Sequence, residues 1–232
     1  MKLAGNQPYL FPYIGFFQLI KAVDIFLLDD TLNYIERGWI NRNNILLNGE
    51  KKLFTWNLSH LNVDDKINQV MTSQDPVKIL KLFRHAYSKA PYFKNVFPML
   101  EDLLMGFPPN SHIAKLATKS VLLTAKYLGI TTTIKIGSRD LPDMTGFKRE
   151  NRIFKYCEIF KADTLVNAIG GMKLYTKEEF KQHGVDLYFM NSKPLEYKQF
   201  NNPFIPNLSI VDVMMFNSVE EIGTLLNSYE LI

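Results

Sequence analysis

MKLAGNQPYLFPYIGFFQLIKAVDIFLLDD, residues 1–30, sets the architecture. Met1 to Gly5 is short and apolar, and the two prolines of Gln7-Pro8-Tyr9-Leu10-Phe11-Pro12-Tyr13-Ile14-Gly15 forbid a continuous helix or central strand across that segment. From Phe16 onward, Phe16, Phe17, Leu19, Ile20 and Val23 recur at helical spacing, and Asp24-Ile25-Phe26-Leu27-Leu28 reads as a buried strand ending in Asp29-Asp30. A strand, loop, helix, strand unit belongs in a parallel sheet with a right-handed crossover. Open sheets of that kind bind ligands beyond the carboxyl ends of their strands. The Pro-rich loop and the two aspartates both fall at those ends.

The same unit recurs downstream. Thr131 to Ile136 is β-branched and reads as a strand followed by a loop over Ser138 to Thr145. Arg149 to Ala162 has helical spacing, and Thr164-Leu165-Val166 returns as a strand running into Asn167-Ala168-Ile169-Gly170-Gly171. A short helix from Thr176 to His183, a strand from Val185 to Phe189 and a helix near Ile210 to Phe216, capped by Ser209, complete this half. Between the two units, Asn48-Gly49 separates alternating apolar runs and predicts a β-hairpin at about 44 to 57. Asp75-Pro76 opens a helical pattern that Pro91 breaks in two, and Ser111 is placed to cap a third helix reaching Tyr127 and stopping at Gly129. The expectation is a single domain over 1–232 of α/β class. It is three-layered, with a mostly parallel central sheet in a Rossmann-like, nucleotidyltransferase-like layout, plus a β-hairpin and a helical insertion at about 75–128.

Composition excludes several classes. With 47% apolar and 22% charged residues the 232-residue chain is neither disordered nor fibrous, and 17 Phe with 11 Tyr imply a core and clefts built from rings. A net charge of +4 without any block of Lys and Arg argues against nucleic acid as a partner. Tyr9 to Phe17 is too short and too broken to insert in a membrane. The single Cys157 forms no internal disulfide and reads as a core residue; with no secretory leader, the expected location is cytoplasmic. The histidines lack metal-ligand spacing, so no metal site is expected.

These residues, Gln7 to Phe17, then Asp24, Asp29-Asp30 and Arg37-Gly38-Trp39-Ile40-Asn41-Arg42-Asn43, resemble the signature of the WbqC-like family. Ala90-Pro91-Tyr92-Phe93, the Gly170-Gly171 loop and Phe204 to Asp212 extend the likeness over roughly residues 3 to 217. The resemblance implies a bacterial cytoplasmic protein of O-antigen or other surface-polysaccharide (lipopolysaccharide) synthesis. Its activity would be transfer of an acyl or aminoacyl group to an amino sugar, with a sugar or nucleotide-sugar substrate and a nucleotide or acyl-carrier donor. Two positions depart from the family pattern: Asn33 stands before Tyr34 where the family has Gln, and Asn167-Ala168 stands where it has Ser-Gly. Two other functions fit the layout. One is a nucleotidyl or adenylyl transferase of the HIGH superfamily, whose histidines the first motif lacks, and the other is a non-catalytic binding module.

For chemistry, Asp29 and Asp30 are carboxylates at a buried strand end, where they must be hydrogen-bonded or paired. One would orient an amine or sugar hydroxyl while Arg37 or Arg42 holds a phosphate or carboxylate; alternatively the four form an ion-paired turn that pins the hairpin. Paired carboxylates could hold Mg²⁺ only weakly. Gln7, Tyr9 and Tyr13 sit on a loop stiffened by Pro8 and Pro12, and Tyr34, Trp39, Asn41, Arg42 and Asn43 add a dense polar set suited to a sugar or base. His85 is a candidate general base near Tyr92. Arg152 would reach an anion resting on the amides of Gly170 and Gly171. A homo-oligomer is compatible with all of this.

Overall fold

The computed structural model describes residues 1–232 apart from Val63, Gln74, Pro109 and Asn202. In chain order the first elements are β1 (Lys2–Asn6), α1 (Ile14–Lys21), β2 (Ile25–Leu28), the hairpin β3 (Arg42–Leu47) and β4 (Glu50–Thr55), and the small pair β5 (Leu58–His60) and β6 (Met71–Thr72). Three helices follow, α2 (Pro76–Tyr87), α3 (Phe93–Met105) and α4 (Ile113–Tyr127). The second half holds β7 (Thr133–Ile136), α5 (Gly137–Asp140), α6 (Arg149–Phe160), β8 (Thr164–Ala168), α7 (Lys177–Gln182) and β9 (Asp186–Ser192). It ends with α8 (Ile210–Phe216), α9 (Val219–Leu225) and β10 (Tyr229–Leu231).

The six-stranded sheet has the order β10-β9-β8-β1-β2-β7, parallel throughout except for β10, which runs antiparallel to β9. The chain builds outward from β1 through β2 to β7, then returns to the other side of β1 for β8 and β9. The order therefore reverses between β1 and β8, the position at which open α/β sheets leave a crevice at their carboxyl edge. Alternate residues sort to the two faces: Ala4, Phe26, Val166 and Met190 join the core shared with α1, α2 to α4 and α8, while Leu3, Leu27, Leu165 and Leu187 meet Tyr156 and Cys157 of α6 and Phe180 of α7. This is the expected three-layer α/β arrangement with its hairpin.

Local chemistry explains where elements begin and end. Asn48 (φ 53°) and Gly49 (φ 81°) both take left-handed backbone at the hairpin turn. The Asp75 side chain accepts from the Val77 amide to open α2, and Gly129 (φ 66°) follows the end of α4. Three boundaries differ from expectation. The first helix starts at Ile14, with Tyr13 as its N-cap; Tyr13 is bridged to Ser209 and the Ile210 amide is bonded to the Pro12 carbonyl. The cap of α4 is His112 rather than Ser111, whose carbonyl is drawn into a 2.8 Å bond with the Thr72 amide. The segment after β7 opens with α5 instead of pure loop, closed by the Asp140 carboxylate on the Ile136 amide at 2.7 Å.

Candidate functional site at the carboxyl edge of the sheet

The Asp29 amide donates to the Asn6 carbonyl at 2.9 Å, so the ends of β1 and β2 are bonded together and Gln7 lies beside the two aspartates. Gln7 is further tied to the loop after β2 by Nε2, which donates to the Asn33 carbonyl at 3.4 Å. Continuing the Leu3–Leu165 register places the end of β1 beside that of β8, where Ile169-Gly170-Gly171 forms a short 3-10 turn.

Asp29 and Asp30 are both buried, yet they differ in what they have left. An ionised carboxylate has about four acceptor sites. Asp29 Oδ1 accepts from the Thr31 amide (3.0 Å) and hydroxyl (2.6 Å). Its Oδ2 accepts from Arg152 Nε (3.1 Å), Arg152 Nη2 (2.9 Å) and the Tyr156 hydroxyl, which saturates the group. Asp30 accepts from Ser138 at 2.7 Å on each oxygen, once from the amide and once from the hydroxyl, and so retains about half its capacity. Gly137 is what allows this approach, since a Cβ there would lie 2.5 Å from Asp29 Oδ1 and 3.1 Å from Asp29 Cα.

The counter-ion of Asp29 is therefore Arg152, not Arg37 or Arg42, and the expected reach of Arg152 toward Gly170-Gly171 is lost because the guanidinium is spent elsewhere. Besides Asp29 it donates to Thr31 Oγ1 (2.5 Å), to the Met144 carbonyl (3.3 Å) and to the Tyr156 hydroxyl. Burial, reinforced by the Asp29 carboxylate, holds the Tyr156 phenol far above its ordinary pKa, so it stays a donor. For Arg152 burial works the other way, but Asp29 and Tyr156 together outweigh it and the charge is kept.

The loop from residue 31 to 43 divides into supports and free groups. Asn41 accepts from the Tyr34 hydroxyl and donates to the Trp56 carbonyl, both at 2.8 Å. Asn43 donates to the Phe11 carbonyl at 2.8 Å, and Ser209 Oγ donates to the same oxygen at 2.7 Å. Together with Ser120 Oγ on the Phe11 amide (3.0 Å), these bonds hold Phe11 at φ 46° and lock the Pro-rich loop to the hairpin. Trp39 is exposed with the Arg42 guanidinium 5.9 Å from its ring centre, while Arg42 Nε donates to the Gly38 carbonyl. Arg37 is exposed in left-handed backbone.

The other expected groups scatter. His85 is exposed on α2, and Tyr92 is half-buried just before α3 with its amide on the Met215 carbonyl. Tyr9 packs on Phe16 in the core, and Tyr13 is exposed over Gly15. A Cβ on Gly171 would meet Asn167 Nδ2 at 2.8 Å and require that side chain to shift, whereas a Cβ on Gly170 would meet nothing within 4 Å. Clefts among the described residues include one of about 730 Å³ at the amino ends of β8 and β9, one of about 300 Å³ between α7 and β9, and one of about 520 Å³ at the first turn of α1. None of the three is lined by Asp29, Asp30, Trp39 or Arg42. The Pro-rich loop, the aspartates and the Trp-Arg stretch are thus bonded along one sheet edge without sharing any of these cavities.

The model of the WbqC-like protein family matches residues 7–224. The chain belongs to that family. It is also 25% identical, over 223 residues covering 93% of each chain, to the uncharacterized protein Rv1507c of Mycobacterium tuberculosis. No solved structure matches it. No helix among the described residues is long and apolar enough to cross a membrane, and no group of three or more His, Cys, Asp or Glu is placed to hold a metal.

The span matched by the WbqC-like model takes in several residues that local sequence reading does not single out. Thr31, Ser138 and Tyr156 complete the aspartate network, and Ser138 carried one usable signal, a hydroxyl two residues past a predicted strand end. Tyr156 gave none, because its apolar helical position reads as core.

Proposed function

We propose that this protein is a transferase that passes a small acyl or aminoacyl group to the amine of an amino sugar, bound in nucleotide-linked form at the carboxyl ends of β1, β2 and β8. The observation that carries this proposal is the strand-order reversal between β1 and β8, with Gln7 on one side and Gly170, open to close approach at its Cα, on the other. Asp30 is the carboxylate with acceptor capacity left, so it orients the amine or a sugar hydroxyl; Asp29 is a positioning residue that holds Thr31 and the loop beyond it. Trp39 and Arg37 supply a stacking face and a cation from that loop. Membership of the WbqC-like family supports the substrate class, through the link to surface-polysaccharide synthesis that the resemblance implies.

The test is thermal stabilisation of the purified protein by uridine- and deoxythymidine-diphosphate amino sugars, repeated with Gln7→Ala, Asp30→Asn and Gly170→Val. At least one sugar nucleotide raises the melting temperature of the parent and fails with Gly170→Val and Asp30→Asn. Equal stabilisation of all four forms would place the site elsewhere. Release of pyrophosphate from ATP, with a nucleotidyl and not an acyl mass gained by the acceptor, would indicate nucleotidyl transfer instead.

A further inference from the structure

Between the first turn of α1 and the segment from Ser192 to Leu208 lies the cleft of about 520 Å³, within the size range of small-molecule pockets. Leu195, Phe204, Leu208 and two prolines, Pro194 and Pro206, form its apolar wall. Hydrogen bonds tie described residues beside that wall to a buried carboxylate. The Tyr197 hydroxyl donates to buried Asp212 at 2.6 Å, Gln199 Nε2 donates to the same carboxylate at 2.7 Å, and Gln199 Oε1 accepts from the Ile205 amide at 2.8 Å. A pre-ordered wall spares a ligand the entropy of organising it.

The polarity of the cleft follows from one buried amide. Gln18 is fully buried, and its Nε2 donates to the Leu225 carbonyl at 2.8 Å and the Ser228 carbonyl at 3.2 Å. Its Oε1 must then face Ser192, and because that oxygen can only accept, the Ser192 hydroxyl donates to it, at 2.6 Å. With its hydrogen committed, Ser192 Oγ offers the cleft lone pairs alone. Lys193 and Glu196 line the same cleft, and among the described residues neither takes part in a salt bridge.

From this set we infer that the cleft is a second binding site, for a zwitterionic small molecule with an apolar body. Lys193 takes the carboxylate, Ser192 Oγ and Glu196 take the ammonium group, and the apolar body lies against Leu195, Phe204 and Pro206. A ligand of single charge would leave either Lys193 or Glu196 without a partner. Neither Gln7 nor Gly170 lines this cleft, and the inference does not rest on the acyl-transfer proposal.

The test is a heteronuclear NMR titration of the full chain with L-phenylalanine, and with 3-phenylpropionate and 2-phenylethylamine, each of which lacks one of the two charges. L-Phenylalanine is expected to shift the amide signals of residues 192–196 and to bind about ten-fold tighter than either analogue. Lys193→Met and Glu196→Gln, both at exposed positions, each weaken phenylalanine about five-fold or more and bring it level with the analogue missing the matching charge. Signals that do not move at the cleft, equal affinity for the three probes, or variants that bind like the parent would each overturn the inference. A sugar nucleotide that shifts Gln7 and Gly170 would do so whatever the outcome here.

Discussion

Replacing Arg152 with methionine removes the cation that faces Asp29 while keeping an unbranched apolar stem in its place. Both partners are nearly out of water, with side-chain exposures of 11% for Arg152 and 3% for Asp29, so the carboxylate would be left buried and under-compensated. Removing one partner of a buried pair costs roughly 3–5 kcal/mol, against about 0–1 for an exposed one. At roughly 2–4 °C per kcal/mol for a chain of this size, the melting temperature should fall by about 6–20 °C. The companion variant carries Arg152→Met together with Asp29→Asn, which removes the stranded charge but still accepts from Thr31. It should regain about 1–3 kcal/mol over the single variant. Urea unfolding followed by tryptophan fluorescence and by circular dichroism measures both. A loss below about 1 kcal/mol for the single variant would show that water screens the pair. Asp29 would then be free for other work, contrary to its saturated hydrogen-bond count.

Gly137→Ala should cost about 1–3 kcal/mol in the same assay, because the new Cβ would press on the Asp29 carboxylate and backbone rather than on a flexible chain end; an unchanged urea midpoint would deny that close approach. Asp212 accepts from Tyr87, Tyr197 and Gln199, and burial raises its pKa above the ordinary 3.8. A raised folded-state value means its contribution to stability is full below about pH 3.8 and is lost as pH climbs through the raised value. The stability of the parent relative to Asp212→Asn should therefore decline as pH climbs above about 3.8, and a rise there would contradict the burial. Burial pushes the Cys157 thiol up to about 11, so at pH 8 an aromatic disulfide reagent should label the native protein ~100-fold or more slower than the urea-unfolded chain. Comparable rates would mean the α6 face opens readily.

Elements whose faces follow one period were legible from residues alone. The strand, loop, helix, strand unit of residues 1–30, the Asn48-Gly49 hairpin and the helices around Pro91 need only local rules, and the structure places them within a few residues. The last two elements, α9 and β10, were not read. Ser218 and Glu221 form a capping box that could have revealed α9, but Tyr229–Leu231 is too short for periodicity and becomes a strand through pairing with β9. The candidate site was half legible. Chain position brought Gln7, Asp29 and Asp30 to one edge, whereas the Asp29–Arg152 bond spans 123 residues and leaves no local trace. Nearness in sequence made Arg37 and Arg42 look like partners, and the fold chose otherwise.

A crystal structure of the protein soaked with the sugar nucleotide that stabilises it most would test the central claim directly. Density is expected at the carboxyl edge between β1 and β8, with the Gln7 amide and the Gly170 backbone in contact and the amine of the sugar on Asp30. Density confined to the cleft at the amino ends of β8 and β9, beside Lys155 and Lys161, would contradict it.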